Sequence, residues 1–136
     1  MIKLIAACAH QTGANGLKAL KIANDAELAD LAAAGAFEGV ECIELHFPKF
    51  TDGRAFSQAM LLRRRYRFAG ELCATGEVLI DQLLHMARCG FSSAVLPDDT
   101  DWAAAERQLR RFADFYQGDA RAPTPRFARA ATPEAV

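Results

Sequence analysis

The chain has 136 residues, a mass of 14.8 kDa, 51% hydrophobic and 24% charged residues, and a mean hydropathy of -0.01. This is one domain's worth of globular polypeptide, with apolar surface enough to offset chain entropy, so disorder throughout is excluded and no metal or disulfide staple is needed. Sixteen basic against seventeen acidic residues leave a net charge of -1 and a pI near 6.3, which argues against a general nucleic-acid binder.

No apolar run approaches the roughly 20 residues of a membrane span, so no membrane insertion is expected. The start, Met1 to Ala9, reads as a strand and not as a signal peptide. Cys8, Cys42, Cys73 and Cys89 are widely spaced without a CxxC pair, the pattern of reduced cytosolic thiols. Arginine outnumbers lysine twelve to four. That excess suits planar anion recognition and equally a GC-rich coding sequence.

In chain order, a strand is expected near Ile2–Ala7. Residues 17–22 alternate apolar and polar side chains as a half-buried strand does. Asn24 or Asp25 is placed to cap a helix through Leu31, with Leu28, Leu31 and Ala32 inward and Gly35 as its stop. Val40 to Phe47 reads as the next strand. Asp52 then precedes a helix on which Ala55, Ala59, Leu62 and Tyr66 share a stripe, leaving Gln58, Arg64 and Arg65 to solvent. Leu72 to Thr75 is a short strand and Gly76 its turn. Leu79 to Arg88 is a helix burying Ile80, Leu83, Leu84 and Ala87, with Gly90 ending it.

Ser92 to Leu96 is a further strand, closed by Pro97. Asp98, Asp99 and Asp101 crowd the start of the last helix, where negative charge meets the positive end of the dipole. On that helix Trp102, Ala105, Leu109, Phe112, Ala113 and Tyr116 keep helical spacing, which predicts buried aromatics over four turns. From Gly118 the chain is rich in Ala, Pro and Arg and holds three of the five prolines. No apolar period survives there, so 118–136 reads as an extended or disordered tail behind a single domain of residues 1–117. Strand-helix alternation with short loops predicts an α/β fold around a mainly parallel sheet of four or five strands, flavodoxin-like or half-barrel.

In such folds ligands bind beyond the carboxyl ends of the strands. Three loops meet there: His46 to Arg54 with Ser57 one turn later, Thr75-Gly76-Glu77 with Asp81 just after, and Pro97-Asp98-Asp99. Asp52 is equally placed as a helix N-cap, and Arg54 as a structural partner of Glu77 or Asp81. Asp81, His85 and Arg88 lie on one helical stripe of the kind that usually faces solvent. His10 and His46 have no neighbour at metal-ligand spacing, and Ser57 lacks a nucleophile-elbow context. No Walker or GxGxxG loop is present, so the sequence offers no nucleotide or nicotinamide motif.

The run Phe47-Pro48-Lys49-Phe50-Thr51-Asp52-Gly53-Arg54, followed by Ser57-Gln58-Ala59, resembles the signature of the bacterial family called domain of unknown function 934. Gly70-Glu71-Leu72, Asp81-Gln82-Leu83, Arg88-Cys89-Gly90-Phe91 and Phe115-Tyr116-Gln117 extend the resemblance over about Gly16 to Gln117. The resemblance implies an accessory protein of assimilatory sulfite reduction, acting with sulfite reductase or its electron donor. Its members are often labelled oxidoreductases, with no established mechanism or cofactor. Cys73 and Glu77 stand where the family commonly shows Arg and Asp. The other reading of the residues is a small enzyme or oxyanion-binding module. In it Lys49, Arg54 and the helix N-terminus hold a small oxyanion, Asp52 and Glu77 support them, and Ser57 and Asp81 lie alongside.

Overall fold

Four of the five strands follow one another across the sheet in the order in which they occur in the chain. In the computed structural model, which describes residues 1–129, the strands are β1 (Lys3–Ala6), β2 (Ala19–Ile22), β3 (Cys42–Phe47), β4 (Glu71–Gly76) and β5 (Ser93–Leu96). They form one parallel sheet in the order β1-β5-β4-β3-β2. Between and after them lie α1 (Leu28–Ala33), α2 (Arg54–Arg64), α3 (Leu83–Cys89) and α4 (Trp102–Leu109).

Consecutive parallel strands joined by right-handed crossovers put their helices on the same face. The core shows that arrangement. Ile43, Leu45 and Phe47 of β3, Leu72 and Ala74 of β4, and Ala94 and Leu96 of β5 join Leu28, Leu62, Met86 and Leu109 of the four helices in one buried cluster. From β2 to β5 the winding is one-way, as in a half-barrel; β1 lies beside β5 and not beside β2, so its connection to β2 runs the opposite way across the sheet.

The second face is covered differently. After β1, residues 7–18 pass through two short 3-10 turns, Ala7–Ala9 and Ala14–Gly16, to reach β2 at the opposite edge. Strand residues alternate between faces, so this connector meets the alternate set. Register aligns Lys3, Ser93, Cys73, Glu44 and Lys21 in one row across all five strands. Four of the five are polar or charged, unlike the helical face.

Local details depart from the expectations in several places. The first helix is capped by neither Asn24 nor Asp25. It begins at Leu28, because a turn closed by Ala26 N–H donating to the Ala23 carbonyl delays it and Asn24 turns its amide elsewhere. Gly35, at φ 71°, does end that helical stretch. Gln58 is buried, since it shares the i, i+3, i+4, i+7 face with Ala55, Ala59 and Leu62. The stretch 79–88 divides into a 3-10 turn, Ile80–Gln82, and α3.

The last helix stops at Leu109, leaving Phe112 and Tyr116 55% and 67% exposed instead of in the core. Length explains it. Eight residues of α-helix span about 12 Å. Four residues of β5 span about 13 Å, so the sheet beneath α4 is already covered.

Beyond the helix, the chain is tied back to α3 through Arg88. The Arg88 guanidinium sits 4.0 Å from the Phe115 ring centre and 3.2 Å from an Asp119 carboxylate oxygen, and its backbone carbonyl accepts from Ala120 N–H at 3.0 Å. Asp119 also accepts from the Arg121 and Ala122 backbone amides. Residues 118–129 carry a turn, a contact with the domain and a short 3-10 helix at Arg126–Ala128, where the sequence reading expects an extended or disordered tail. Residues 130–136 of that tail lie outside the described residues.

Removing residues 119–136 takes away the Asp119 carboxylate from a half-buried guanidinium. We expect a loss of about 1–3 kcal/mol in unfolding free energy. Urea titration of the shortened and full chains measures it, and equal midpoints would show that these contacts add nothing.

Candidate functional site

Two polar regions stand apart: the carboxyl edge of the sheet, and the face opposite the helices. At the carboxyl edge the centre is Asp52. Arg54 donates to it from Nε at 3.0 Å and Nη2 at 2.8 Å, and Asn24 Nδ2 donates to its second oxygen at 2.7 Å. The backbone N–H of Arg54 points at the same carboxylate at 3.3 Å. Asp52 thus serves the start of α2 from one residue before Gly53, the residue in the N-cap position. The Arg54 guanidinium, the Arg54 amide and the Asn24 amide together hold the Asp52 carboxyl well below its ordinary range, at about 2.

The same loop is fastened at two further points. Gln58 Nε2 donates to the carbonyls of Ala23 and Ala26 at 2.9 and 3.3 Å, binding α2 to the loop after β2. Glu77 Oε2 accepts from Phe50 N–H at 3.3 Å, and Gln82 Nε2 donates to the Phe50 carbonyl at 3.0 Å. Gly76, at φ 88°, lets β4 end against β3, since a Cβ there would strike the Phe47 carbonyl. The PKFTDGR run and its Gln58 are in this way a fastening of three loops.

Among the expected site residues, the structure joins Asp52 to Arg54 and no further pair. Arg54 is matched by Asp52 and not by Glu77 or Asp81. Glu77 reaches the loop backbone and not Lys49. Lys49, Ser57 and Asp81 are exposed. Ser57 and Arg54 border a shallow cleft with Asn24, Gln58 and Tyr66. On the Asp81 stripe, the ring of His85 lies 4.5 Å from that of Phe56, and burial lowers its pKa. Arg88 is engaged by Asp119. Asp98 accepts from Cys8 N–H at 3.0 Å and so anchors the connector.

The second region was not singled out by sequence reasoning. Between the connector and the face of the sheet opposite the helices lies a cleft of about 360 Å3. Its lining includes Lys3 and Ile5 of β1, Glu44 of β3, Glu71 and Cys73 of β4, and His10 of the connector. The Glu44 side chain is only 5% exposed, and its Oε1 stands 2.8 Å from His10 Nε2. Ser93 Oγ donates to Glu71 Oε1 at 2.7 Å. Burial pushes the Cys73 thiol up to about 12 and, with Glu71 and Glu44 nearby, the Cys42 thiol up to about 11. Both are neutral, poorly nucleophilic fillers near neutral pH. The available signal was the strand period: Cys42, Glu44 and His46 alternate with Ile43, Leu45 and Phe47, which gives β3 one polar face.

Fold and site together define an α/β domain with a five-stranded parallel sheet, its four α-helices on one face and a polar cleft on the other. The chain belongs to the family described as bacterial protein of unknown function DUF934, whose model matches residues 19–127. That match takes in the fastened loop, all four helices and the segment through Phe127. No curated protein matches the chain.

The lowered pKa of Asp52 gives a pH signature. A carboxyl depressed in the fold stabilises the fold above its unfolded pKa near 4, and that contribution fades as pH falls towards 2. We expect Asp52→Asn to melt below the wild type near neutrality, with the two melting temperatures converging as the pH is lowered through this window. A gap independent of pH, followed by calorimetry, would remove the carboxylate's charge from the explanation.

Proposed function

We propose that this protein is an accessory factor of sulfite reduction that works by docking onto an acidic surface of a partner protein, sulfite reductase or its electron donor. The pathway rests on the family resemblance. The docking mode rests on one observation: Phe112, Tyr116 and Phe127 are 55%, 67% and 73% exposed within a segment carrying six arginines against three acids from Glu106 to Arg129. The rings of Tyr116 and Phe127 lie 5.9 Å apart, and Arg126 and Arg129 both reach Asp114 beside them. Exposed aromatics interleaved with arginine have the composition of interaction hot spots, and the excess of positive charge favours an acidic counterpart.

The second reading, an oxyanion site or small enzyme at Phe47–Arg54, retains one supporting feature. Lys49 is exposed on that loop and makes no ion pair among the described residues. Arg54 would have to leave Asp52 to assist it.

Both readings meet in one experiment. The purified chain is titrated against sulfite reductase, against its electron donor and against sulfite alone, at low and high salt. Docking is expected to weaken by about tenfold or more at high salt, and to be lost in the triple variant Phe112→Ser, Tyr116→Ser, Phe127→Ser. No binding to either protein, or undiminished binding by the triple variant, overturns the docking proposal. Saturable sulfite binding abolished by Lys49→Ala would support the loop instead.

A further inference from the structure

We propose that the cleft between α2 and the loop after β2 binds a free aliphatic α-amino acid, its ammonium group received by Gln58 and Asp25 and its carboxylate by Arg65. This site is independent of partner docking, and it requires neither Lys49 nor the release of Arg54 from Asp52.

Gln58 is only 6% exposed. Its amide orientation is fixed, since Nε2 donates to the carbonyls of Ala23 and Ala26 at 2.9 and 3.3 Å, and exchanging N and O would set oxygen against oxygen. Oε1 is buried and makes no hydrogen bond to any described residue. A buried amide oxygen in that state forfeits the hydrogen bonds it makes to water in the unfolded chain. Gln58 lines a cleft of about 330 Å3 with Asn24, Asp25, Ser57, Leu61 and Arg65. An N–H donor brought into that cleft by a ligand would match the orphaned oxygen.

The cleft also sets the charge of its occupant. Asp25 lies within the turn whose carbonyls hold the Gln58 amide, which puts negative charge at that end. Arg54, Gln58, Leu61 and Arg65 follow at i, i+4, i+7 and i+11 along α2 and its C-cap, and so share one stripe. Arg54 is engaged by Asp52. Asp25 and Arg65 line the same cleft without an ion pair to each other or to any other described residue. Unpaired charges of both signs in one cleft match a zwitterion, whereas a simple cation or anion would satisfy one and oppose the other. Leu61, 42% exposed, stands between Gln58 and Arg65 on the stripe, and Ala26 and Ala29 border the same space. An aliphatic α-amino acid carries the ammonium, the carboxylate and an apolar body on one carbon.

The position in the fold agrees. The walls of this cleft come from the loop after β2 and from the helix after β3, at the carboxyl edge where parallel α/β sheets take their ligands. Side chains on a helix tilt towards its N-terminus, which brings the long Arg65 side chain back along the stripe towards Leu61. Arg54, Ser57 and Arg65 at the rim are exposed. Exposed side chains change rotamer within nanoseconds, so a ligand reaches Gln58 without disturbing the core.

The structural alternative is that Gln58 only fastens α2 to the turn at Ala23–Ala26, its oxygen remaining unmatched. Isothermal titration of the full chain with L-leucine is expected to show saturable binding. Isocaproate, which lacks the ammonium, and isoamylamine, which lacks the carboxylate, should each bind about tenfold or more weakly. Trimethylated leucine keeps both charges but has no N–H to offer Gln58, and should also lose about tenfold or more. Arg65→Ala should lower leucine affinity by about tenfold or more at an unchanged melting temperature, because that exposed side chain makes no ion pair in the fold. If Arg65→Ala melts lower than the wild type, Asp25→Asn makes the same comparison. No saturable leucine binding, equal affinity for leucine and any of the three analogues, or undiminished affinity in the folded variant overturns the proposal.

Discussion

A parallel sheet has to be shielded on both faces, because its strands carry side chains to both, and helices wound in a single direction shield one of them. This chain winds β2 to β5 in one direction and spends all four helices on the same side. The rest of the molecule follows from what that leaves uncovered. A short connector between the two edge strands has to lie across the second face, and it has few apolar side chains with which to do so. His10 meeting Glu44 at 2.8 Å fixes it in the middle and Asp98 holds its start at Cys8 N–H. A carboxylate buried without a partner would cost several kcal/mol, so the pair is a condition for having a polar sheet face at all.

The helical face was readable in the sequence because its signal is periodic. Leu28, Leu62, Leu83, Ala87 and Leu109 occur at the spacings that packing demands, and each is buried. Gly35 and Gly90 mark helix ends for a backbone reason that needs no tertiary contact. Periodicity misled beyond Leu109, where Phe112 and Tyr116 continue the pattern but the sheet beneath has ended. Spacing records what a helix could bury, not where the surface it would bury against stops. Arg88 and Asp119 illustrate the reverse case, since a contact across 31 positions leaves no local mark.

For the polar regions the balance differs. The conspicuous run from Pro48 to Arg54 could be placed at the carboxyl edge from the order of elements alone. Its internal wiring could not. Asp52 serving Arg54, Asn24 and the helix start at once depends on a loop after β2 that sequence spacing leaves undetermined. The cleft was legible only as an alternation in β3. Its other wall comes from residues 7–18, which have neither helical nor strand period, and two alternatives for the sheet remained open until strand order was known.

The position of β1 has a bearing on how the fold is assembled. Strands β2, β3 and β4 each pair with the next strand in the chain, so their contacts close short segments. β1 pairs with β5, and the bond that anchors the connector joins Cys8 to Asp98, 90 positions apart. Loop closure charges the longer connection more entropy before any contact repays it. The consecutive β/α units therefore have a route to form first, with the N-terminal strand and its connector docking onto a sheet already made. Reversal of that last step alone exposes the cleft without dismantling the helical layer, which makes the N-terminus a separable cooperative unit of the kind amide exchange resolves.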